Sequence, residues 1–193
     1  MIKQESFCQR CGRAQANATA CGYCLKNPGF IDQTISLVPY AFPANFLLRS
    51  MKYKDKLMLA HEFGEKLAQK ILTENLTMPE CIMPMPLHPQ RLISRGFNQA
   101  LEVARTISKE TGVRLDYRSS IRTKNTLPQF SLNPNQRRKN IKNAFKVRSI
   151  QGIKTVAIVD DIITTGRTAN ELAKELKSHG VSHVSLWVCA NAG

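Results

Sequence analysis

Residues 156–168 read Val156-Ala157-Ile158-Val159-Asp160-Asp161-Ile162-Ile163-Thr164-Thr165-Gly166-Arg167-Thr168, and the fold turns on this stretch. The first four residues are apolar and mostly β-branched, which predicts a short strand buried on both faces. Two adjacent carboxylates end it, a small-residue loop follows, and a helical pattern begins near Thr168. That order builds an anion site. Backbone N–H groups at a helix start point at a phosphate, and the helix dipole favours its negative charge. Threonine hydroxyls add donors, and Gly166 lets the backbone approach closely. Two carboxylates would repel a triphosphate, whereas a sugar phosphate suits both halves. Carboxylates accept hydrogen bonds from a vicinal diol, or hold Mg2+ on it, while the loop holds the phosphate. The alternative is a buried strand, a capped turn and a helix with no ligand.

Outward from this stretch, strands and helices alternate. Strands are predicted at 34–42, 81–83 and 183–189, and helices at 44–53, 57–72, 97–110 and 168–179. The second helix places Ala60, Phe63, Leu67 and Ile71 on one face, and the last turns Leu172 and Leu176 inward. Gly112 and Gly180 follow two of the helices, where a C-terminal glycine is common. Such alternation implies an α/β fold with a mostly parallel sheet flanked by helices, its ligands at the carboxyl ends of the strands. Residues 122–145 lack periodicity, and a loop of that length is usually either a functional lid or mobile.

The chain has 193 residues, enough for one domain with an appendage. It has no apolar run long enough to span a bilayer. The N-terminus lacks the apolar core of a secretory signal, so a cytoplasmic location is expected. The net charge of +14 is uneven: residues 117–159 hold ten Lys and Arg and no acid. Clustered cations favour polyphosphate or nucleic acid, against the alternative of a solvated basic face.

Four of the six cysteines form two Cys-x2-Cys pairs, Cys8 with Cys11 and Cys21 with Cys24. This spacing suits a structural, tetrahedral zinc. Disulfides are the alternative, disfavoured in a cytoplasmic chain. The first thirty or so residues have few apolar side chains, so a metal would replace a core there. The expected division is a four-cysteine zinc finger over 1–32 and the α/β domain over 33–193. Cys81 and Cys189 lie in apolar segments and are read as core.

Residues 156–168 resemble the phosphoribosyl-diphosphate (PRPP) binding motif of the type I phosphoribosyltransferases. The match has no departure: four apolar residues, two acids, two apolar residues, then Thr-Thr-Gly-x-Thr. The resemblance makes Asp160 and Asp161 ribose ligands and Thr164, Thr165, Gly166, Arg167 and Thr168 the 5′-phosphate loop. Further groups carry a resemblance over nearly the whole chain to the ComF family of competence-associated phosphoribosyltransferase-like proteins. These are the four-cysteine finger, Lys52-Tyr53-Lys54, Pro86-Leu87-His88-Pro89, Arg95-Gly96-Phe97-Asn98-Gln99, and Gln129 with Leu132, Arg137 and Asn140.

That second resemblance implies a type I phosphoribosyltransferase fold, a pyrophosphate loop at Pro86, Leu87 and His88, and a flexible hood over about 122–140. It also implies a role in handling single-stranded DNA during natural transformation, with other competence or DNA-processing proteins as partners. Catalytic candidates are Asp160, Asp161 and Arg95. Candidates for the flexible loop and nucleic acid are Lys52, Arg122, Arg137, Arg138, Lys139 and Lys142. For Arg91 and Arg95 the alternative is a surface role near a helix start; for His88 it is a turn residue against Pro89. Phe97 is read as core. Thr164 stands where purine-salvage transferases typically carry an Asp, and a threonine is no general base near neutral pH. Purine salvage is therefore disfavoured. The rival readings are a non-enzymatic module that senses PRPP or a nucleotide, and a DNA-binding zinc protein with a vestigial transferase fold.

Overall fold

The computed structural model describes residues 6–15, 19–51, 53, 56–74, 76–125, 141–148 and 150–193. Lys52, Lys54, Gln129, Phe130, Leu132, Arg137, Arg138, Lys139 and Asn140 lie outside the described residues. The element order is β1 (Ser6–Phe7), β2 (Ala14–Gln15), α1 (Gly22–Lys26), β3 (Gln33–Pro39), α2 (Ala44–Ser50) and α3 (Leu57–Thr73). Then come β4 (Cys81–Pro84), α4 (Pro89–Arg95), α5 (Gln99–Thr111), β5 (Arg114–Leu115), β6 (Ser120–Arg122) and β7 (Phe145–Val147). The chain closes with β8 (Thr155–Ile163), α6 (Arg167–Ser178) and β9 (His183–Asn191).

Five strands form one parallel sheet in the order β3-β9-β8-β4-β5. Strand β8 is central, and its side chains alternate between two cores, as a pleated strand requires. Val156 and Ile158 pack with Leu172 and Leu176 of α6, whereas Ala157 and Val159 pack with Leu67 of α3 and Val103 and Ile107 of α5. Leu172 is fully buried, and truncating such a side chain to Ala costs about 2–5 kcal/mol. Helices α3 and α5 approach closely at Gly64: a Cβ there would lie 2.7 Å from Cβ of Thr106. The hairpin of β6 and β7 is antiparallel and adds Phe145 and Val147 to the α6 side of the core.

Several elements differ from the sequence expectation. Strand β3 stops at Pro39 rather than 42, and α2 stops at Ser50 rather than 53. Helix α4 was not expected; none of its residues is buried, so it has no apolar stripe to read. Strand β8 does not end at the acids. It continues to Ile163, because β9 runs on to Asn191 and keeps pairing with it.

The pairing on the other side of β8 ends earlier. Pro84, the last residue of β4, pairs with Val159, and Met85 adds one hydrogen bond to the Val159 carbonyl at 2.8 Å. From Asp160 onward β8 has a strand neighbour on one side only. The connections diverge at this point too, since β4 leads towards β5 and β8 leads to β9 on the opposite side. Open α/β sheets form their ligand crevice at such a reversal.

Candidate functional site

The crevice is a cleft of about 390 Å³. Asp160 and Asp161 line it, as do Thr164, Thr165, Gly166, Arg167 and Thr168 of the turn into α6. Leu87 and Met85 come from the segment after β4, Arg91 from α4, Arg122 from β6, and Tyr40 from the segment after β3. The fold thus brings both acids, the whole Thr-Thr-Gly-x-Thr loop and two arginines to one place.

Each acid is held by its own backbone. Oδ1 of Asp160 accepts the Asp161 N–H at 3.0 Å, and Oδ1 of Asp161 accepts the Ile162 N–H at 2.8 Å. The Asp160 carboxyl is pushed well above the usual carboxylate range, by burial first and by the Asp161 charge second. The Arg122 guanidinium opposes that shift from across the cleft. Gly166 precedes α6 with φ +67°, a left-handed conformation, and a Cβ there would press on Ile163 Cδ1 at 3.3 Å. Its carbonyl accepts the Asn170 N–H at 2.8 Å, and as the N-cap of α6 this glycine brings no capping side chain. Helix-start N–H groups of this kind suit an anion.

The charged forms of the cations opposite are disfavoured by burial first and by neighbouring cations second. Burial lowers the pKa of Arg122, and the Arg91 charge lowers it further. Burial lowers that of Arg91, with Arg95 adding to it. An anion between them would relieve both effects. Arg122 also stacks over the Phe145 ring, 5.5 Å from its centroid.

Arg95, expected to be catalytic, does not line this cleft. Its Nη1 donates to Oε1 of the buried Gln99 at 2.7 Å. Arg91, one turn earlier in α4, faces the acids instead. His88 is the N-cap of α4: its Nδ1 accepts the Gln90 N–H at 3.3 Å, with Pro89 in the first turn. Pro86, Leu87 and His88 line a neighbouring cleft of about 530 Å³ with Tyr117, Arg122 and Arg148. Phe97 is buried, as expected. Asn98 caps α5, accepting from Ala100 N–H at 3.1 Å, and donates from Nδ2 to the Met85 carbonyl at 3.0 Å. The Arg-Gly-Phe-Asn-Gln run therefore builds the joint that fixes the loop after β4. Sequence reasoning missed Tyr40, whose hydroxyl accepts from Arg49 Nε at 3.0 Å; no pattern around it signals a site.

The described residues of the basic block are dispersed by the fold. Arg122 sits in the cleft, while Lys124 and Lys142 meet on the surface, Lys124 Nζ donating to the Lys142 carbonyl at 2.6 Å. Lys154 lies at the opposite end of the sheet, just ahead of β8, where Glu80 accepts its backbone N–H.

Cys8, Cys11, Cys21 and Cys24 come together as the spacing requires, with their sulfurs within 4.8 Å of one another. Cys11 and Cys21 Sγ are 3.8 Å apart, too far for a disulfide. Four bonds of about 2.3 Å to a tetrahedral zinc would hold sulfurs about 3.8 Å apart, so the donor set fits zinc. Burial works against a Cys8 thiolate, but the backbone N–H groups of Cys11, Cys21 and Arg10 outweigh it and bring the pKa to about 6. Cys21 N–H reaches Cys8 Sγ at 3.2 Å. Cys81 and Cys189 are fully buried in the two cores.

Competence protein F of Haemophilus influenzae is 32% identical to this chain over 199 residues, covering 99% of this chain and 87% of that one. The chain belongs to the competence protein F family. Another relative, DNA utilization protein YhgH of Escherichia coli O157:H7, is 31% identical over 189 residues, covering 95% and 83% of the two chains. A solved purine phosphoribosyltransferase from Pyrococcus horikoshii overlays with a TM-score of 0.42 at 14% identity, over 68% of this chain and 81% of that one. No protein-family model matches the chain. In this member of the competence protein F family the fold is a five-stranded parallel sheet flanked by helices, with a four-cysteine cluster at its N-terminal end. Among the described residues no helix is long and apolar enough to cross a membrane.

Proposed function

We propose that this member of the competence protein F family binds PRPP with Mg2+ and binds single-stranded DNA, acting in the cytoplasm in the handling of DNA during natural transformation. The observation that carries the reading is the cleft itself, where two carboxylates and a helix start with a glycine N-cap share one crevice with two arginines. A ribose 5-phosphate bearing a pyrophosphate needs these three kinds of partner. Asp160 and Asp161 accept from the ribose hydroxyls. The N–H groups and hydroxyls of 164–168 take the 5′-phosphate, and Arg91 and Arg122, with the segment Pro86-Leu87-His88, face the pyrophosphate. Mg2+ held by the acids would neutralise charge on the departing pyrophosphate. The zinc of the finger would be structural, since four thiolates leave no open position.

The relatives' names, competence protein and DNA utilization protein, support a part in DNA handling for this chain. The charge supports it as well. Each phosphate neutralised on a single strand adds roughly 0.7 to the slope of log affinity against log salt. With about five cations engaged, affinity falls roughly a hundredfold between about 50 and 200 mM salt. Glutamates in place of Arg137 and Arg138 are expected to weaken both ligands, read by anisotropy of a labelled oligonucleotide and by calorimetry with PRPP.

The deciding experiment is calorimetric titration with PRPP and Mg2+, followed by a pyrophosphate-release assay with and without single-stranded DNA. Binding lost when Asp160 and Asp161 both become Asn supports the reading. No binding by the wild type would overturn it. Binding without turnover would favour the sensing reading. Thr164 gives that reading its footing, because it leaves the loop without a carboxylate base.

A further inference from the structure

The phosphate loop has a second side. Its outer face, Thr164, Thr165, Gly166 and Arg167, lines another cleft of about 460 Å³, whose opposite wall is the cysteine finger. The finger contributes Arg10, Arg13, Tyr23 and Lys26, and no Asp or Glu lines this space. The two walls are tied together. Asn170 of α6 accepts the Phe30 N–H at 2.6 Å and the Ile31 N–H at 3.3 Å, and Asn191 at the end of β9 donates to the Cys11 carbonyl at 3.1 Å. A metal-ordered finger, which cannot bury a core of its own, is thus set at a fixed distance from the loop.

Tyr23 is the unusual member of this wall. It is 61% exposed, on the short helix α1 beside Cys24. The Arg13 guanidinium lies 5.6 Å from its ring centroid, so ring and cation form one platform. An exposed aromatic face beside clustered cations without acids is the chemistry that stacks a nucleobase and holds its phosphates. A compact anion would need the cations but not the ring. Duplex DNA would keep its base faces stacked away from it.

We propose that the cleft between the cysteine finger and the phosphate loop is a single-stranded DNA subsite. Tyr23 stacks a base, and Arg10, Arg13 and Lys26 pair with the adjoining phosphodiesters. The inference rests on the DNA-binding reading above and says where the strand lies: against the outer side of the loop whose inner side faces the sugar phosphate. The two ligands then share the wall 164–167, and occupancy of one cleft stiffens the loop that forms the other.

The test uses the full-length, metal-loaded protein and a fluorescein-labelled thymidine oligonucleotide, read by anisotropy across a salt series. The variants are Tyr23→Ala and the triple variant Arg10→Gln, Arg13→Gln, Lys26→Gln, accepted once their zinc content and Tm match the wild type. Tyr23→Ala is expected to weaken binding about tenfold, in the range for losing one stacked base. The triple variant is expected to lower the salt slope by roughly 2, from about 0.7 per cation. PRPP affinity of both is expected to stay within about twofold of the wild type by calorimetry. Photo-crosslinking with 5-iododeoxyuridine oligonucleotides supplies a second measurement, with adducts expected within residues 10–29. Unchanged affinity and slope in both variants, or adducts confined to 118–148, would overturn the subsite while leaving DNA binding by the chain intact. A wild-type protein that binds no oligonucleotide would overturn both.

Discussion

Asn98 holds the loop after β4 through the Met85 carbonyl, its Nδ2 donating at 3.0 Å while its Oδ1 caps α5. One side chain therefore fixes both a helix start and the floor of the cleft. Asn98→Ala removes the cap and leaves the Met85 carbonyl without this donor, for a combined loss of about 1–3 kcal/mol. Urea unfolding measures it. Asn98→Asp keeps the capping oxygen but not the donor, so it should recover part of the stability while PRPP affinity stays weakened.

Replacing Asp160 and Asp161 with Asn should abolish PRPP binding without unfolding the protein, and should change how stability depends on pH. In the folded wild type the Asp160 carboxyl is raised by burial and by the Asp161 charge. A raised acid favours folding fully below its unfolded pKa of about 3.9, and that contribution is lost as pH rises through the folded value. Wild-type stability should therefore decline upward from about pH 4 because of this group, and the double variant should lack that decline. Thermal unfolding between pH 4 and 8 checks it. Parallel curves for the two proteins would show that the fold does not raise the Asp160 carboxyl.

Arg122 and Lys154 belong to the same basic stretch of sequence and should behave differently. Arg122 lines the cleft with Asp160, whereas Lys154 lies at the other end of the sheet. Arg122→Ala removes a charge-assisted contact worth about 1.5–3 kcal/mol, a loss of roughly ten- to a hundredfold in PRPP affinity. It also takes away a cation that holds the Asp160 pKa down, so that value should rise further. Lys154→Gln should leave PRPP affinity unchanged. Calorimetry on the pair decides the matter.

Metal analysis should find one zinc per chain, and chelation should unfold residues 8–30 while the sheet persists. Hydrogen exchange resolved by peptide is the readout. Protection should vanish first at Gly12, Leu25 and Asn27, whose N–H groups bond within the finger. A protein without metal, its four cysteines paired as disulfides, would contradict the assignment.

What the sequence made legible follows physical lines. Helices α3, α5 and α6 carry apolar stripes that repeat over several turns, and each appears within two residues of its expected bounds. The four cysteines and the Asp-Asp-x-x-Thr-Thr-Gly motif are chemical patterns that survive without knowledge of the fold. Strands β5, β6 and β7 have two or three residues each, too few for any period. The partner of β6 comes more than twenty residues later, so the hairpin is fixed by a distant pairing. The choice between Arg91 and Arg95 needed α4, and α4 has no buried face to announce it. Tyr40 reaches the cleft only because β3 lies beside β9.

Strand β3 is one of the two outer strands of the sheet, and such a border is a template on which another chain can polymerise. The finger guards it. Gln9 accepts the outward Thr34 N–H at 2.7 Å, the Thr34 hydroxyl donates to the Arg10 carbonyl at 2.6 Å, and Lys70 Nζ covers the Ser36 carbonyl at 2.8 Å. Two of these three guards depend on the cysteine cluster keeping its shape. Without a metal in the cluster, the protein would keep its sheet and lose the shield on its border, so metal scarcity would show itself as self-association and as loss of the DNA strand held at the finger, before any loss of PRPP binding.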